Sequence, residues 1–524
     1  LMETFTFDVE NVTLEDKKTW DLICSGRTKG VFQLESSLGR SWAKKVKPKN
    51  MEELSDLIAI IRPGTLKAMQ DGKSMTQHYV DRKDGDSSVT YVNNSLEPIL
   101  KKTQGVLVYQ EQAMKIAQQL AGFTLQEADD LRKAIGKKKA DLMAEVKKKF
   151  LKGAIKEEIV SEEEAEEIFG WIEASSRYSF NKSHAVSYAI CAYWSAYAKA
   201  HFPLEFYCNY LKYSGGKPDP QREVKELVTD AKSNDIFIHP PSLEYLNEET
   251  SVINGKVYFG LKNIKSLGAN TIISIKENVK DARSLLASEI WCWYDFLILI
   301  SRKINKTASR ALISSGVLSE LKTSRQKMLY EFDTFEKLSN KEVEWAEENY
   351  KNFNSLVDLL RSLARPRKEG GGVTNKNRLG IVNDLAQQLE NPPVSLQDDP
   401  EWIVRTEENY YGVALTYSKV DAVDVSRGNT TCKDILNGKK GNLSIVATVN
   451  EARKYTPTKG KNAGKDMGFL EVEDATGSMD GVTLFYDAWD KYKNMLYNGN
   501  NILMIGKTSG GKRDGIIVDE IFEL

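Results

Sequence analysis

Apolar and polar positions follow two different periods along this 524-residue chain. From residue 15 to about 235 the period is helical. Between Glu111 and Ala121 the apolar positions Ala113, Met114, Ile116, Ala117 and Leu120 fall on one helix face. Thr124 with Glu127, and Ser161 with Glu164, have the spacing of capping boxes, which open helices. After Ser161, Ala165, Ile168, Phe169 and Ile172 line one side, and Glu162, Glu163, Glu166 and Glu167 line the other. That acidic run therefore reads as a water-facing side. His239-Pro240-Pro241 breaks the pattern and marks a boundary, followed by a short β-like piece at Lys256–Phe259 and small helices to about Leu321. Residues 325–365 read as charged helix, and Arg365–Thr374, with three consecutive glycines, as a flexible linker. From Gly441 the period becomes two: Leu443, Ile445 and Ala447 alternate with Ser444, Val446 and Thr448, and glycine-rich turns recur to Leu524. The expectation is a multidomain protein, mainly α in its N-terminal half, with a small β-barrel at the C-terminus.

Composition narrows the classes. Mean hydropathy is −0.44, and apolar runs such as Phe296–Ile300 are far short of the ~20 residues a spanning helix needs. No membrane partner and no signal peptide are expected. Five scattered cysteines without a C-x-x-C pair, and four histidines, argue against a zinc centre or disulfide framework. A reducing, cytoplasmic setting fits. The net charge of −1 gives no hint of nucleic acid, but lysines cluster at Lys137–Lys139, Lys147–Lys149 and Lys454–Lys465, and a neutral protein can still carry a basic groove.

Four clusters carry candidate chemistry. In Ala128–Lys139, Arg132 and Lys133 stand near a helix end, Gly136 lets the backbone turn, and Lys137–Lys139 follow. Several cations so close suit a phosphate chain, with arginine able to grip two oxygens; the plain alternative is an exposed basic helix end. In Tyr178–Tyr188, Phe180, Asn181, Lys182, Ser183 and His184 stand just before or at a helix start, where free N–H groups attract anions. A lone His184 reads as structural; grouped with Asn181 and Lys182 it is more suggestive. Arg62 precedes Pro63, which keeps it out of helical geometry and suits either a phosphate clamp or a helix stop. Leu107–Gln112 offers Tyr109 as a stacking face and hydroxyl, with Gln110 and Gln112 as amides.

Taken in this order and spacing, these clusters resemble the C-family replicative DNA polymerases, the family of the bacterial polymerase III alpha subunit. Gly30-Val-Phe-Gln-Leu-Glu-Ser36, Asp81-Arg-Lys-Asp-Gly85 and Ala200-His-Phe-Pro-Leu-Glu-Phe206 add to the resemblance, which is dense over residues 15–245 and looser to 524. It implies a fingers domain at 15–235, a helix-hairpin-helix region at 236–325, a helical and linker region at 326–440 and an OB-fold at 441–524, with 1–14 a remnant of the palm-to-fingers connection. It places Arg132, Lys133, Lys137 and Lys139 near the triphosphate of the dNTP, and Arg62, Tyr109, Asn181, Lys182, Ser183 and His184 around the nucleotide pocket. Lys133 stands where the family usually has a second arginine, and so lacks the bidentate fork. In the hairpin region the resemblance points to Lys262, Lys265 and Gly268 on duplex phosphates, although Ser266 replaces an expected glycine. On the barrel it points to Arg453, Lys454, Tyr455, Lys459, Lys461, Phe485 and Tyr486 on single-stranded template; for Phe485 core packing is the alternative.

Nucleotidyl transfer uses two metal ions held by carboxylates. In the family these aspartates lie in the palm, before everything seen here. Asp8, Asp16 and Asp21 are nearest, and none has the expected strand context. The resemblance thus implies Mg2+ held by a palm outside this chain, a chain inactive alone, and a separate N-terminal palm-containing fragment as partner beside primer–template DNA. The start at Leu1 fits a processed product, half of a split protein or a trimmed segment, and the phosphoesterase-like, thumb and clamp-loader domains are expected to be missing. The alternative is a non-catalytic DNA-binding accessory protein of the same descent. A sliding clamp stays an open partner, since Gln397–Trp402 matches the family's clamp peptide poorly.

Overall fold

The structure is a computed structural model that describes residues 8–137, 140–175, 178–286, 292–373, 375–458, 463–509 and 515–524. It falls into two units, Leu1–Phe206 and Tyr207–Leu524.

The first unit is helical: α1 (Lys17–Ser25), α2 (Ser37–Val46), α3 (Met51–Ile60), α4 (Pro63–Lys67), a hairpin of β1 (Met69–Gln70) and β2 (Lys73–Ser74), α5 (Met75–Lys83), α6 (Glu97–Leu100), α7 (Gln110–Ala121), α8 (Leu125–Lys137), α9 (Ala140–Glu157), α10 (Glu162–Ser175) and α11 (Lys182–His201). Both capping boxes form: the Thr124 N–H donates to Glu127 at 2.8 Å, and the Ser161 N–H to Glu164 at 2.8 Å. Two apolar cores organise the unit. One gathers Trp20, Leu57, Tyr79, Ala189 and Tyr193 from α1, α3, α5 and α11. The other gathers Leu120, Leu131, Phe150 and Phe169 from α7 to α10. In α11 the buried positions Ala185, Ala189, Ala192 and Ala196 follow the helical period. Their small side chains let α3 approach closely, while Tyr193 is fully buried beside them and Tyr188, Trp194 and Tyr197 pack at the margin of the core. The turn expected at Gly136 is absent, because α8 continues through it to Lys137; Leu131 and Ala134 pack into the second core, which offsets the roughly 1 kcal/mol helix penalty of glycine.

The second unit begins within α12 (Pro203–Tyr213) and continues with α13 (Pro220–Ser233) and a small sheet, ordered β3-β5-β4, of β3 (Ile238–His239), β4 (Ser251–Ile253) and β5 (Lys256–Tyr258). Helices α14 (Ala269–Leu286), α15 (Trp293–Leu299), α16 (Lys306–Ser314), α17 (Arg325–Phe335), α18 (Asn340–Asn349), α19 (Leu356–Leu363), α20 (Lys376–Glu390) and α21 (Pro400–Tyr411) follow. An ion pair is buried among them. Arg325 donates to Glu407 at 2.8 Å, with side chains 6 % and 0 % exposed. The second Glu407 oxygen accepts the Leu415 and Thr416 N–H groups at 2.6 and 2.8 Å. Every lone pair it can offer is used, which is the condition for tolerating a buried charge.

The glycine-rich segment after Arg365 departs from the expected flexible linker. Pro366 bridges Val373, and a side chain at Gly371 would strike the Arg365 carbonyl, while one at Gly372 would strike Trp345 and Leu363. The glycines there allow close packing. The C-terminal strands β6 (Asn442–Tyr455), β7 (Met467–Asp474), β8 (Gly477–Leu484), β9 (Asn501–Thr508) and β10 (Ile516–Glu523) close into a barrel ordered β10-β8-β7-β6-β9. Its interior holds Leu443, Ile445, Ala447, Leu470, Val482 and Met504. Val446 and Thr448, at the alternate positions of the strand, are buried as well. Val446 packs with Val420 and Leu503 outside the barrel, and the Thr448 hydroxyl donates to Asn501 at 2.6 Å.

Candidate functional site

The site is built where α7 and α11 begin. The backbone of Phe180 exchanges hydrogen bonds with the strand-like residues before α7: its N–H donates to the Val108 carbonyl, and its carbonyl accepts the Gln110 N–H, both at 3.0 Å. Helix α11 starts two residues later, at Lys182. Its first N–H groups have no partner within the helix, and side chains supply them. Asn181 accepts the His184 N–H at 2.9 Å, and the Glu111 carboxylate accepts the Lys182 N–H at 3.1 and 3.0 Å. Lys182, Ser183 and His184 are all exposed.

Arg62 reaches the same place from the first core. It is extended at φ −103° and ψ 152°, with Pro63 opening α4, as the residue before a proline should be. Its guanidinium lies 4.2 Å over the Phe180 ring. His184 meets Phe180 edge-on at 5.4 Å and lies 3.9 Å from Tyr188. The Lys182 ammonium stands 5.6 Å from the Tyr109 ring. Arg62, Tyr109, Asn181, Lys182 and His184 are thus brought together, with Ser183 in the same helix turn.

Beneath them lies a residue that sequence reasoning missed. Asp56, only 4 % exposed, accepts the Tyr109 hydroxyl at 2.6 Å and the Tyr79 hydroxyl at 2.9 Å. Burial pushes its carboxyl up to about 6, against the pull of the two hydroxyls and the Lys182 charge. Both tyrosine hydroxyls are held well above their ordinary range, by burial first and then by the Asp56 charge. Tyr109 itself is 1 % exposed. Its ring lies under the cluster as core, and its hydroxyl is committed to Asp56.

The α8 cations stand on the second core instead. Arg132 pairs with Asp129 at 2.8 Å, and Lys133 with Asp129 at 2.9 Å and Asp130 at 3.3 Å. Each cation of this helix turn already has a carboxylate, which a phosphate would have to displace. The Lys137 side chain and the whole of Lys139 lie outside the described residues. The nearest N-terminal acids have structural partners. Asp8 and Asp16 cap the first helices, Asp16 also meets His201 at 2.9 Å, and Asp21 pairs with Lys17 at 2.7 Å. Among the described residues no group of three or more His, Cys, Asp or Glu could hold a metal ion.

In the second unit, Gly268 precedes α14, and a side chain there would meet nothing within 4 Å, so the turn leaves open space beside its backbone. Lys265 is exposed and its N–H donates to the Tyr410 carbonyl at 3.1 Å; Lys262 pairs with Glu249 at 3.3 Å. On the barrel, Arg453 grips Glu451 at 2.7 and 2.5 Å, and Lys454 meets Asp466 at 2.6 Å. Tyr455 and Phe485 are exposed, so Phe485 is no core residue, and the Lys465 ammonium stands 4.2 Å over the Tyr486 ring. Lys459 and Lys461 lie outside the described residues. No helix among the described residues is long and apolar enough to cross a membrane.

Comparison with known proteins gives this geometry its context. A family model for the bacterial DNA polymerase III alpha subunit finger domain matches residues 2–158, and one for a helix-hairpin-helix motif matches residues 235–328. Similar curated proteins include the DNA polymerase III subunit alpha of Aquifex aeolicus, 40 % identical over 62 % of this chain and 27 % of that protein. That of Thermus aquaticus is 34 % identical over 99 % of this chain and 39 % of its own length. That of Bacillus subtilis is 30 % identical over 96 % and 41 %. The chain therefore spans about two-fifths or less of the length of these relatives.

Proposed function

Because the chain belongs to the bacterial DNA polymerase III alpha family, we propose that its first unit receives the incoming dNTP and its second unit holds primer–template DNA during template-directed synthesis. The observation that carries this reading is the start of α11. There Arg62 and Lys182 stand as exposed cations resting on aromatic rings, with no ion-pair partner among the described residues, and such cations suit phosphate. Asn181 fixes the turn, Ser183 and His184 offer donors, and Tyr109 supports Lys182 from below. Arg132 and Lys133, with Lys137 and Lys139, extend the reading to the far end of the triphosphate.

In the second unit, Lys262, Lys265 and Gly268 would hold duplex phosphates, consistent with the helix-hairpin-helix match. Arg453, Lys454, Tyr455 and Lys459 would meet the single-stranded template. The two Mg2+ ions would be held by palm carboxylates from outside these residues, and would clamp the attacking and leaving oxygens of the transfer. On this reading the chain works in the cytoplasm as part of an assembly with a palm-containing polypeptide. A photoreactive dNTP tests it: the label should fall on segments bearing Arg62, Lys182 or Arg132. Co-expression with a palm-containing fragment should allow primer extension, and Arg132→Ala should remove most of it. DNA binding without any nucleotide labelling would leave the accessory DNA-binding role instead.

A further inference from the structure

The glycine-rich segment 365–373, between α19 and α20, lies outside both stretches matched by the family models. It is folded into a closed turn. The Glu369 N–H donates to the Pro366 carbonyl at 2.8 Å, the Gly371 N–H to the same carbonyl at 3.2 Å, and the Gly372 N–H to the Leu363 carbonyl at 3.2 Å. Gly370 reverses the chain at φ 82°, a left-handed conformation that glycine adopts without steric cost. Val373, bridged to Pro366, is buried. Gly372 seats the turn against Trp345 of α18 and Leu363 of α19. A backbone held in this way needs no ordering when a ligand arrives.

Three cations stand out from the turn. Arg365, Arg367 and Lys368 are exposed, and none of them pairs with a carboxylate among the described residues. Other cations of the surrounding helices do pair. Arg361 meets Glu390 at 2.7 Å, Arg378 is held by Glu342, Arg310 by Asp333, and Arg302 lies 3.6 Å from Glu336. Glu369 is the one acid within 365–373, so positive charge prevails there. An arginine without a carboxylate keeps its planar fork for a ligand. The segment has no aromatic residue. It therefore offers no stacking face to an unpaired base and no aromatic anchor to a protein partner. Charge and hydrogen-bond donors remain, and these suit the phosphates that double-helical DNA presents at about one per 1.7 Å of its axis.

We propose that the 365–373 turn grips the phosphate backbone of duplex DNA through Arg365, Arg367 and Lys368. The inference rests on the reading that the second unit holds primer–template DNA, and it adds a contact separate from Lys262, Lys265 and Gly268. Phosphate contacts fix position and carry no sequence information. Each one releases counterions, so the salt dependence of binding counts them.

The test measures anisotropy of a fluorescent duplex with the full chain, between about 50 and 200 mM salt. Wild type is compared with a triple variant, Arg365→Ala, Arg367→Ala and Lys368→Ala together, and with a charge-keeping double variant, Arg365→Lys and Arg367→Lys. All three side chains are exposed, so both variants should fold. The slope of log affinity against log salt should become shallower by roughly two to three in the alanine variant and stay at the wild-type value in the lysine variant. A wild-type slope in the alanine variant overturns the turn and leaves the hairpin contact standing. A lysine variant as shallow as the alanine variant overturns the role of charge, and the proposal with it. A change confined to a single-stranded oligonucleotide overturns the duplex assignment. A change confined to a fluorescent polyglutamate peptide assigns the turn to an acidic protein partner and overturns the proposal too. Absence of duplex binding by wild type overturns the DNA reading of the second unit together with the turn.

Discussion

The start of α11 and the first strand of the barrel treat their candidate cations in opposite ways. In the first, Arg62 and Lys182 rest against aromatic rings, and no carboxylate pairs with either among the described residues. In the second, Arg453 is forked onto Glu451 and Lys454 is tied to Asp466. A cation on a ring keeps its charge available to a ligand, because a ring draws it only weakly. A cation on a carboxylate must give up one partner to gain another. The α8 pair Arg132 and Lys133, held by Asp129 and Asp130, sits with the barrel in this respect. Counting basic residues along a sequence thus overstates the field on the barrel and understates the contrast with α11.

Four substitutions break or sharpen the contrast. The largest effect belongs to pairing at its most buried. Arg325→Ala strands Glu407 without its charge partner and should cost about 3–5 kcal/mol, read as lost hydrogen-exchange protection across α21. Next is the carboxylate under the α11 cluster. Asp56 has its acid form favoured by folding, so the stability it contributes is complete below its ordinary 3.8 and is lost as pH rises through about 6. Asp56→Asn removes that dependence. The stability of wild type should therefore fall relative to the variant across this window, by up to about 3 kcal/mol, and run level above it. Lys182→Ala should weaken photolabelling by a triphosphate at least about tenfold, as expected for losing a charge-assisted contact. An unchanged signal would show that this cation faces no phosphate. The smallest effect is on the barrel: Glu451→Gln frees Arg453 and should tighten single-strand binding a few-fold, steepening the salt dependence by roughly one charge. If Glu451→Gln changes nothing, pairing is not what restrains that face.

Legibility followed the range of the interactions. Capping boxes, the water-facing acids of α10 and the start of α11 rest on residues three or four positions apart, and periodicity reads them. Asp56 was invisible because its partners Tyr79 and Tyr109 are 23 and 53 residues away, and an acid in an apolar stretch reads only as a helix residue. The three glycines at 370–372 read as loose because the Trp345 and Leu363 side chains that crowd Gly372 are absent from any local window. One miss was avoidable: Glu451 and Arg453 are two apart on a strand, where side chains share a face, so their pairing could have been foreseen.

The pair of backbone hydrogen bonds joining Phe180 to residues 108 and 110 makes a mechanical link. Helix α7 is anchored in one core and α11 in the other, and both take their origin from this stitch, which the Glu111 bond to the Lys182 N–H reinforces. A small tilt of the α7–α10 bundle would therefore be passed to the first turn of α11 as a rigid crank, turning the ring beneath Arg62 with it.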